Sequence, residues 1–475
     1  MRTCLIVLTG VLLGASLLAA PQGTPPASTA TGSAPTFYKD VLPVLQKNCQ
    51  ACHRPGEVAP MSLLTYEQTR PWARAIKTAI TAKQMPPWFA DPNYGHFANE
   101  RRLSEREIAT IGAWVDAGAP AGRQSDAPAP LTFQSGWNIK PDLVVEMPKA
   151  FQIPASGTIN YKYVLVKGAF TEDLWVTSAE MRPGNSKVLH HGKVWVRPPG
   201  SKWMAKAVYN EAYERETQRD IIGENAIEDG NDILGKFNPG LGAQRFDIDG
   251  AAKFIPKGSD LVFELHYTTS GEMMADASRL GLVLAKQAPR TRYYFHAGPT
   301  ALNLAIPASE GNAQVVSEIT FGEEARLVYA QPHMHLRGKD FELRVVAPDK
   351  TITTVLKGAW NFEWQMGYQY AEPIALPKGS KLQLITHFDN STANRFNPDP
   401  TKKIVWGPQN WDEMSNCFIG VLFPTTTAPE SVFLRSGPSL LPRGEQGPTL
   451  ASLSQVDPNA VGKASNASSG GAAVP

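Results

Sequence analysis

Two segments of the chain repeat one another, and this repeat constrains the fold more than any other feature. The segment IPKGSDLVFELHYTTSG, Ile255 to Gly271, resembles LPKGSKLQLITHFDNST, Leu376 to Thr392. In each copy a histidine, His266 or His387, stands ten residues after the proline and is followed by an aromatic residue. Two related β-sandwich domains, each carrying histidines, are the simplest architecture that explains such a repeat.

The sequence around the repeat has the same character. Segments such as NYKYVLVKG and FELRVVAP are rich in the β-branched and aromatic residues that are typical of strands. The 39 glycines and 39 prolines among 475 residues agree with a turn-rich, mostly β chain. A histidine pair precedes each copy, His190 with His191 and His333 with His335. We therefore predict one β-sandwich over residues 137–289 and a second over residues 290–435.

The two ends of the chain have the composition of processing and linker segments. The apolar run CLIVLTGVLLGASLLAA after Met1 and Arg2 is short and ends in small residues, which predicts a secretory signal peptide over residues 1–20. Residues 21–35 and 122–136 are predicted linkers, and residues 436–475 a disordered tail. We expect an exported protein, periplasmic or secreted, with no membrane span. Lys+Arg 46 against Asp+Glu 44 gives no basic excess that would indicate nucleic acid.

The sequence CQACH, Cys49 to His53, is a C-x-x-C-H motif. Thiols at this spacing can form thioethers with the haem vinyl groups, and the histidine that follows, His53, can bind the iron. A redox dithiol or half of a zinc site are the alternatives, and the adjacent histidine favours neither. Cys49, Cys52 and His53 therefore predict one covalently attached haem c.

Helical patterns flank the haem motif. FYKDVLPVLQKN precedes it, and LSEREIATIGAWVDAGAP forms a second helix that Ser104 and Glu107 begin with a capping box. The region of residues 36–121 resembles a small single-haem cytochrome c, which implies a methionine as the second axial ligand. Met85, in KQMPPW, is the preferred candidate, and Met61 and His96 are its rivals.

The β region contains motifs suited to copper. His333 and His335 stand at i and i+2, so on a strand both face one side and can share a metal. The stretch NWDEMSNCFIGVLF contains Met414, whose thioether suits Cu(I). Neighbouring residues on a strand face opposite sides. His190 and His191 can therefore share a metal if one bonds through Nδ1 and the other through Nε2, or if the strand ends between them. Gly192 could supply the backbone freedom that this needs.

Together these motifs resemble the type II copper, ascorbate-dependent monooxygenases, a family that includes peptidylglycine α-hydroxylating monooxygenase and dopamine β-monooxygenase. The resemblance covers roughly residues 137–433. It implies an electron-transfer copper held by His190, His191 and His266. It implies a second, oxygen-activating copper held by the catalytic residues His333, His335 and Met414.

The chain departs from the peptide-amidating members of this family. At the positions whose side chains hold the peptide carboxylate in those enzymes it has Gln331 and Phe418, and only Asn416 is retained. The insertion at residues 201–237 indicates a different substrate cleft. The β region has Cys417 as its single cysteine, so its domains must be stabilised by core packing.

The fold class that we predict is a multidomain chain, in which a small all-α cytochrome c domain precedes two all-β, antiparallel, jelly-roll-like sandwich domains. The predicted function is a monooxygenase that contains one haem c and two copper ions and hydroxylates a C–H bond of a small organic substrate with O2. Electrons would come from ascorbate or a redox protein through the fused cytochrome. The alternatives are a non-catalytic electron-transfer or copper-handling protein and a zinc hydrolase, although the chain lacks an H-E-x-x-H motif.

Overall fold

The computed structural model describes residues 34–57, 59–133, 136–214, 217–222, 232–238, 241–407 and 409–434. The predicted signal peptide, nearly all of the first linker and the predicted tail lie outside these residues. Within them, no helix combines the length and the apolar character that a membrane crossing needs.

The helices are short and lie mainly in the N-terminal region, residues 36–121. They are a π-helical turn (Phe37–Val41), α1 (Leu42–Asn48), α2 (Tyr66–Thr69), a 3-10 turn (Arg70–Trp72), α3 (Ala73–Thr81) and α4 (Glu105–Asp116). The predicted capping box is confirmed, because Ser104 accepts from the Glu107 amide while the Glu107 carboxylate accepts from the Ser104 amide. Phe37, Leu45 and Trp114 are fully buried in a small hydrophobic cluster of this region.

Residues 82–104 contain no helix and pack against the β region. Pro86 and Pro87 disfavour a helix there, and single bridges join Ala90 to Gly358 and Phe97 to Tyr370. The Phe97 ring lies 5.2 Å from that of Tyr370 and belongs to a hydrophobic cluster of the β region. The N-terminal region is therefore partly built into the β-sheets.

The strands up to residue 284 form two five-stranded sheets and one two-stranded sheet within the described residues. The strands are β1 (Leu143–Glu146), β2 (Phe151–Ile153), β3 (Lys162–Val166), β4 (Leu174–Arg182), β5 (Leu189–Arg197), β6 (Ala212–Glu214), β7 (Asp232–Phe237), β8 (Gln244–Arg245), β9 (Lys253–Ile255), β10 (Asp260–Tyr267), β11 (Met274–Asp276) and β12 (Arg279–Leu284). One sheet has the order β1-β12-β4-β8, with β9 also on β4, and the other has β6-β3-β10-β5-β7. The pair β11-β2 stands apart, and short helices α5 (Arg219–Ile222) and a 3-10 turn (Ile248–Gly250) interrupt the strands.

The strands from residue 291 onward form a four-stranded, a two-stranded and a five-stranded sheet in the part of the chain that the structure covers. They are β13 (Thr291–His296), β14 (Ala305–Ile306), β15 (Ala313–Phe321), β16 (Ala325–His333), β17 (Gly338–Val346), β18 (Ile352–Ala359), β19 (Tyr368–Leu376), β20 (Lys381–Phe388), β21 (Ile404–Val405), β22 (Asn416–Pro424) and β23 (Phe433–Leu434). The orders are β13-β22-β16-β19, β14-β21 and β18-β17-β20-β15-β23, and α6 (Pro429–Val432) precedes β23. All strand pairs within these sheets are antiparallel.

Both copies of the sequence repeat become central strands. β10 lies in the middle of its five-stranded sheet, and β20 lies in the middle of the last sheet. β10 is buried along nearly its whole length, whereas β20 begins with alternating half-buried and buried residues. The four-stranded sheet contributes to two hydrophobic clusters, since Phe295 packs with the first and Leu327 with the second.

The predicted fold class is wrong. The chain is mostly β with 14% helix, and among the described residues no extended all-α cytochrome domain is found. The helices of the N-terminal region are 4 to 12 residues long, and residues 82–104 pair with strands instead. The strands are divided among six small sheets in the described residues rather than gathered into two jelly-roll-like sandwiches. The apolar periodicity identified helices and strands, but it could not show that the N-terminal aromatic residues pack onto a sheet. The domain boundaries themselves stay predictions.

Candidate metal centre

A β-bulge brings His190 and His191 together. On β10, His266 faces His191 and the next residue, Tyr267, faces Leu189, so His190 is an extra residue on β5. An extra residue interrupts the alternation of a strand and lets two successive side chains reach the same side. The bulge, rather than Gly192, supplies the backbone freedom. Gly192 has a different role, since a Cβ there would lie 2.6 Å from Met181 Cε.

The three histidines of the first group, His190, His191 and His266, form a potential metal site. Each offers a ring nitrogen, and these atoms lie within 4.8 Å of one another. His266 Nδ1 is 3.0 Å from His191 Nε2, close to the roughly 3.3 Å expected between two nitrogens bound tetrahedrally at about 2.0 Å from one metal ion. The Tyr161 ring stacks on His266 at 4.5 Å and fixes its orientation.

All three imidazoles are held in the neutral form that binds metal. Burial lowers the pKa of His190, and it lowers that of His266 to about 3, with the neighbouring imidazoles contributing. The pKa of His191 falls well below its ordinary value for the same reasons. His190 Nδ1 is buried and has no hydrogen-bond partner. An orphaned ring nitrogen beside two neutral imidazoles fits a transition-metal ion.

The second group, His333 and His335, is at the end of β16. Their ring centroids are 5.1 Å apart. His333 Nδ1 is 2.7 Å from Gln365 Oε1, and His335 Nδ1 is 3.4 Å from the Asp412 carbonyl oxygen. The acceptor at His333 Nδ1 orients that ring and leaves its Nε2 available for a metal, as in known metal sites. The His335 ring also forms a hydrogen bond with the backbone of Gln409. Burial holds the pKa of His333 far below its ordinary value and lowers that of His335 to about 4.

Glu413 joins the His-x-His segment to Met414. Its buried carboxylate accepts from the backbone amides of His335 at 2.8 Å, Arg337 at 2.6 Å and Met414 at 3.2 Å. Burial raises the pKa of Glu413 to about 8. One side chain thus fixes the backbone of His335 and Met414 side by side. Imidazole and thioether are donor types that copper accepts.

The two histidine groups face one another where the sheet of β5 and β7 meets the sheet of β16 and β22. We call this place the sheet junction. Besides burial, the like charge of His333 contributes to the low pKa of His191, and that of His335 contributes to the low pKa of His266. Lys193 on β5 also reaches across, with its Nζ 5.5 Å from the Phe418 ring centroid. The two histidine groups are therefore near enough to each other to interact electrostatically across the sheet junction.

Two other candidate residues lie away from this site. His387 has both ring nitrogens occupied, Nδ1 by Asp340 at 2.6 Å and Nε2 by Gln314 at 3.1 Å. It belongs to the last five-stranded sheet, whereas His333 lies on the four-stranded one. Cys417 is fully buried in the second hydrophobic cluster, where burial raises its pKa to about 12. Neither fits a copper ligand, and a blue-copper site at Cys417 is disfavoured.

The C-x-x-C-H motif continues from α1 as one more helical turn. The amides of Cys52 and His53 donate to the Cys49 carbonyl oxygen at 3.1 and 2.9 Å, so the backbone of the motif forms a turn. His53 Nδ1 is 3.2 Å from the Met61 carbonyl oxygen, which leaves Nε2 available. This arrangement fits covalent haem with His53 as an axial ligand.

The candidates for the second axial ligand occupy different places. Met85 is half-buried and begins the helix-free stretch after α3. Met61 supplies the carbonyl group behind the His53 ring, and His96 is exposed beside β19, where its carbonyl oxygen accepts from Ala371. Met61 lies on the Nδ1 side of the His53 ring and His96 is exposed near β19, so Met85 stays the preferred candidate.

Sequence reasoning missed the residues that support the ligands. Gln365, Glu413 and Tyr161 orient or anchor histidines, and Lys236 lies at the sheet junction. Glu413 stands next to Met414 in the sequence, which is a usable signal. The others come from strands or loops far along the chain, and no local pattern identifies them.

Comparison with known proteins gives no family. No family model and no curated protein matches the chain. Similar solved structures include that of the infectious bursal disease virus Gt strain, with 11% identity, 62% of this chain and 75% of that chain covered, and a TM-score of 0.15. The T13 particle of that virus is 8% identical, with 62% of this chain and 72% of that chain covered and a TM-score of 0.18. The CBM22 tandem domain of Paenibacillus barcinonensis Xyn10C is 9% identical, with 60% of this chain and 80% of that chain covered and a TM-score of 0.14. Likenesses this weak carry no argument about the chain.

Proposed function

We propose that this protein is a haem- and copper-containing monooxygenase that hydroxylates a C–H bond of a small organic substrate with O2. The observation that carries the proposal is the sheet junction, where a three-histidine group faces a His-x-His group that is anchored beside Met414. Two different ligand sets in one junction suit two coppers with different tasks. The apolar run of residues 1–20 and the C-x-x-C-H motif support export to the periplasm or the cell exterior.

The roles divide between the two sheets. His190, His191 and His266 hold the electron-transfer copper. When bound, copper at His333, His335 and Met414 supplies O2 binding and one-electron reduction. The protein supplies orientation, through the acceptors that hold His333 and His335 at Nδ1, and it keeps the imidazoles neutral by burial.

The N-terminal region is the proposed electron entry point. Cys49 and Cys52 would attach the haem, and His53 and Met85 would hold its iron. When bound, the haem would supply one-electron transfer from an external donor, ascorbate or a redox protein. The segment after His53 is joined to β4 by a chain of charged groups, in which Glu57 accepts from Arg54 at 2.9 Å and Arg182 at 2.8 Å.

The link continues to the first histidine group. Met181, next to Arg182, packs directly against Gly192, which follows His191. The three-histidine group is therefore the part of the sheet junction to which β4 connects the N-terminal region.

The test combines metal analysis, X-ray absorption and oxygen uptake on the purified full-length protein. We expect one haem and two coppers, a sulfur scatterer at reduced copper, and O2 uptake that a subset of candidate organic substrates stimulates. Met414→Leu preserves volume and should remove the sulfur signal and the stimulated uptake. Met273→Leu, at a methionine that is 74% exposed, is the matched control.

Two outcomes would refute the proposal. If substrate still stimulates O2 uptake in Met414→Leu, Met414 is not a ligand of the oxygen-activating copper. Copper and haem that cycle between oxidation states with no stimulation by any substrate would instead establish the non-catalytic electron-transfer alternative.

A further inference from the structure

Lys236 is a buried lysine with unused hydrogen-bonding capacity. It lies on β7, is 5% exposed, and has its Nζ 4.1 Å from the Phe418 ring centroid and 5.2 Å from that of Phe295. It donates one hydrogen bond, to Gln331 Oε1, which also accepts from the Tyr329 hydroxyl at 3.2 Å. Burial lowers the pKa of Lys236 well below its ordinary value. The protonated group has three donors, of which the described residues use one, so a bound carboxylate would take up unused donors and favour the charged form.

A second buried lysine shows what Lys236 lacks. Lys253 is fully buried but pairs with the Asp232 carboxylate at 2.6 Å. Near Lys236 the nearby carboxylate, Glu264, is already engaged, because one oxygen accepts from Lys193 at 2.8 Å and the other from Trp195 at 2.8 Å. A buried charge without a counterion is costly unless a ligand neutralises it.

The unused donors lie beside the proposed oxygen-reacting site. Gln331 and His333 are at i and i+2 on β16, and they face Phe418 and Asn416 on β22. Directly opposed residues of an antiparallel pair lie on one face of the sheet, so these four side chains form one surface. The His333 ring centroid is 6.1 Å from that of Phe418, the ring that Lys236 contacts.

The same surface contains an unused acceptor. Asn416 is 6% exposed, and its Oδ1 is buried without a hydrogen-bond partner. A buried lysine with spare donors and a buried acceptor without a partner, near one surface that includes Phe418, are the expected signs of a ligand site rather than of a finished core.

We infer that Lys236 determines substrate specificity by binding a carboxylate, so that the substrate is a small organic acid held at the sheet junction. This inference rests on the proposed function in placing the acid beside a reacting copper, whereas carboxylate binding is a property of Lys236 itself. Phe418 and Phe295 provide an apolar wall for the rest of the acid, and they strengthen the ion pair by excluding water.

The test measures binding rather than turnover. The as-isolated protein is titrated calorimetrically with acetate, phenylacetate and benzoate, and with the neutral amide of each acid. At least one acid should bind more tightly than its amide. Lys236→Met should weaken that acid by at least about 30-fold, the loss typical of removing one partner of a buried charge pair, and leave the amide little changed.

Gln331→Glu separates this role from a structural one. It places a carboxylate where Lys236 already contacts the Gln331 side chain, so it should stabilise the fold and abolish the preference for the acid. Lys378→Met, at a lysine whose side chain is 69% exposed, controls for general loss of positive charge. A preference that is unchanged in both Lys236→Met and Gln331→Glu, or no acid that binds better than its amide, would overturn the inference.

Repeating the titration after chelation of copper distinguishes the two proposals. Acid binding that depends on Lys236 and persists without copper supports the inference, even if oxygen uptake is never stimulated. Acid binding that requires copper and ignores Lys236 would instead reflect direct ligation of the metal, and it would count against the inference.

Discussion

At the scale of single residues, each histidine group is built from local contacts that do not depend on the other group. The bulge at His190 and the facing strand β10 form the first group, whereas Gln365, Asp412 and Glu413 orient the second. Loss of a ligand in one group should therefore leave the other group able to bind metal.

The first prediction concerns His266. His266→Ala should reduce bound copper from two ions per chain to one, because loss of a direct ligand should weaken binding by at least the 10- to 100-fold that supporting residues typically contribute. His387→Ala is the matched control from the sequence repeat, and it should retain both ions since Asp340 and Gln314 occupy its ring. Metal analysis after dialysis measures the difference. Two coppers in His266→Ala would exclude it as a ligand.

The second prediction concerns the acid sensitivity of metal-free protein. Burial lowers the folded pKa of His266 to about 3 and that of His335 to about 4, against an ordinary 6.5. Between pH 6.5 and these values the unfolded chain therefore binds more protons than the folded chain. The contribution of each histidine to the free energy of unfolding is fully present above pH 6.5 and is lost as the pH falls toward the folded pKa. The slope should approach about 1.4 kcal/mol per pH unit for each such histidine.

Urea denaturation of the chelated protein at a series of pH values measures this slope. His266→Gln removes one titrating group and should reduce the slope. A metal-free protein that is equally stable at pH 7 and pH 5 would contradict the prediction.

At the scale of elements, the sequence predicted well what depends on neighbours along the chain. The two repeat strands became β10 and β20, and the capping box of α4 formed as expected. The first ligand group followed from two strands with clear motifs. The assignment of residues 82–104 to an all-α domain was wrong. The rings of Trp88 and Phe97 in this stretch pack against Tyr368, which is far along the chain.

The repeat also predicted too much symmetry. In the first copy the histidine pair lies on β5, next to β10 in the same sheet, but in the second copy His333 lies on β16 in a different sheet from β20. Sequence similarity of one strand does not fix which sheet its neighbours join, because strand pairing is decided by side chains distant in sequence. His387 therefore has the same position in its strand as His266, but within the described residues no histidine pair lies on a neighbouring strand of its sheet.

The third prediction concerns the ion pair that joins three sheets. Lys253 on β9 pairs with Asp232 on β7, and its Nζ is 5.6 Å from the ring of Tyr293 on β13. Burial lowers the pKa of Lys253 to about 8 and raises that of Asp232, so both charges are costly and depend on each other. Lys253→Met should destabilise the fold by about 3–5 kcal/mol, because it leaves a buried carboxylate unpaired.

The matching double variant tests the cause. Lys253→Met with Asp232→Leu removes both charges and should recover most of the lost stability, or exceed the parent, since apolar replacements of buried pairs are often neutral or stabilising. Denaturant midpoints of the two variants give the comparison. A double variant as unstable as the single one would show that packing, not the unpaired charge, is responsible.

At the scale of the whole molecule, the N-terminal region is held to the β region by two kinds of contact. Phe97 packs against Tyr370 of the four-stranded sheet, and the charged chain through Glu57 reaches β4. Arg182 donates to Glu180 at 2.9 Å as well as to Glu57. The segment after the C-x-x-C-H motif is thus held to β4, the strand whose Met181 lies against Gly192. On the proposed function, electron transfer from a haem at this motif to the three-histidine group should occur within one chain.

The last prediction tests that arrangement. Glu57→Gln removes the carboxylate that bridges Arg54 and Arg182. Charged hydrogen bonds are worth about 1.5–3 kcal/mol each, so the equilibrium constant for this contact should fall by about tenfold or more. Rapid mixing of the pre-reduced protein with O2 and substrate should show slower reoxidation of the haem, with haem and copper contents unchanged. Lys47→Gln disrupts the Lys47–Glu107 pair inside the N-terminal region, where the lysine side chain is 72% exposed, and should not change the rate. In the parent protein the rate should also be independent of protein concentration. A rate that rises with concentration, or that Glu57→Gln leaves unaltered, would mean that the electrons reach the copper between molecules rather than through the contact at β4.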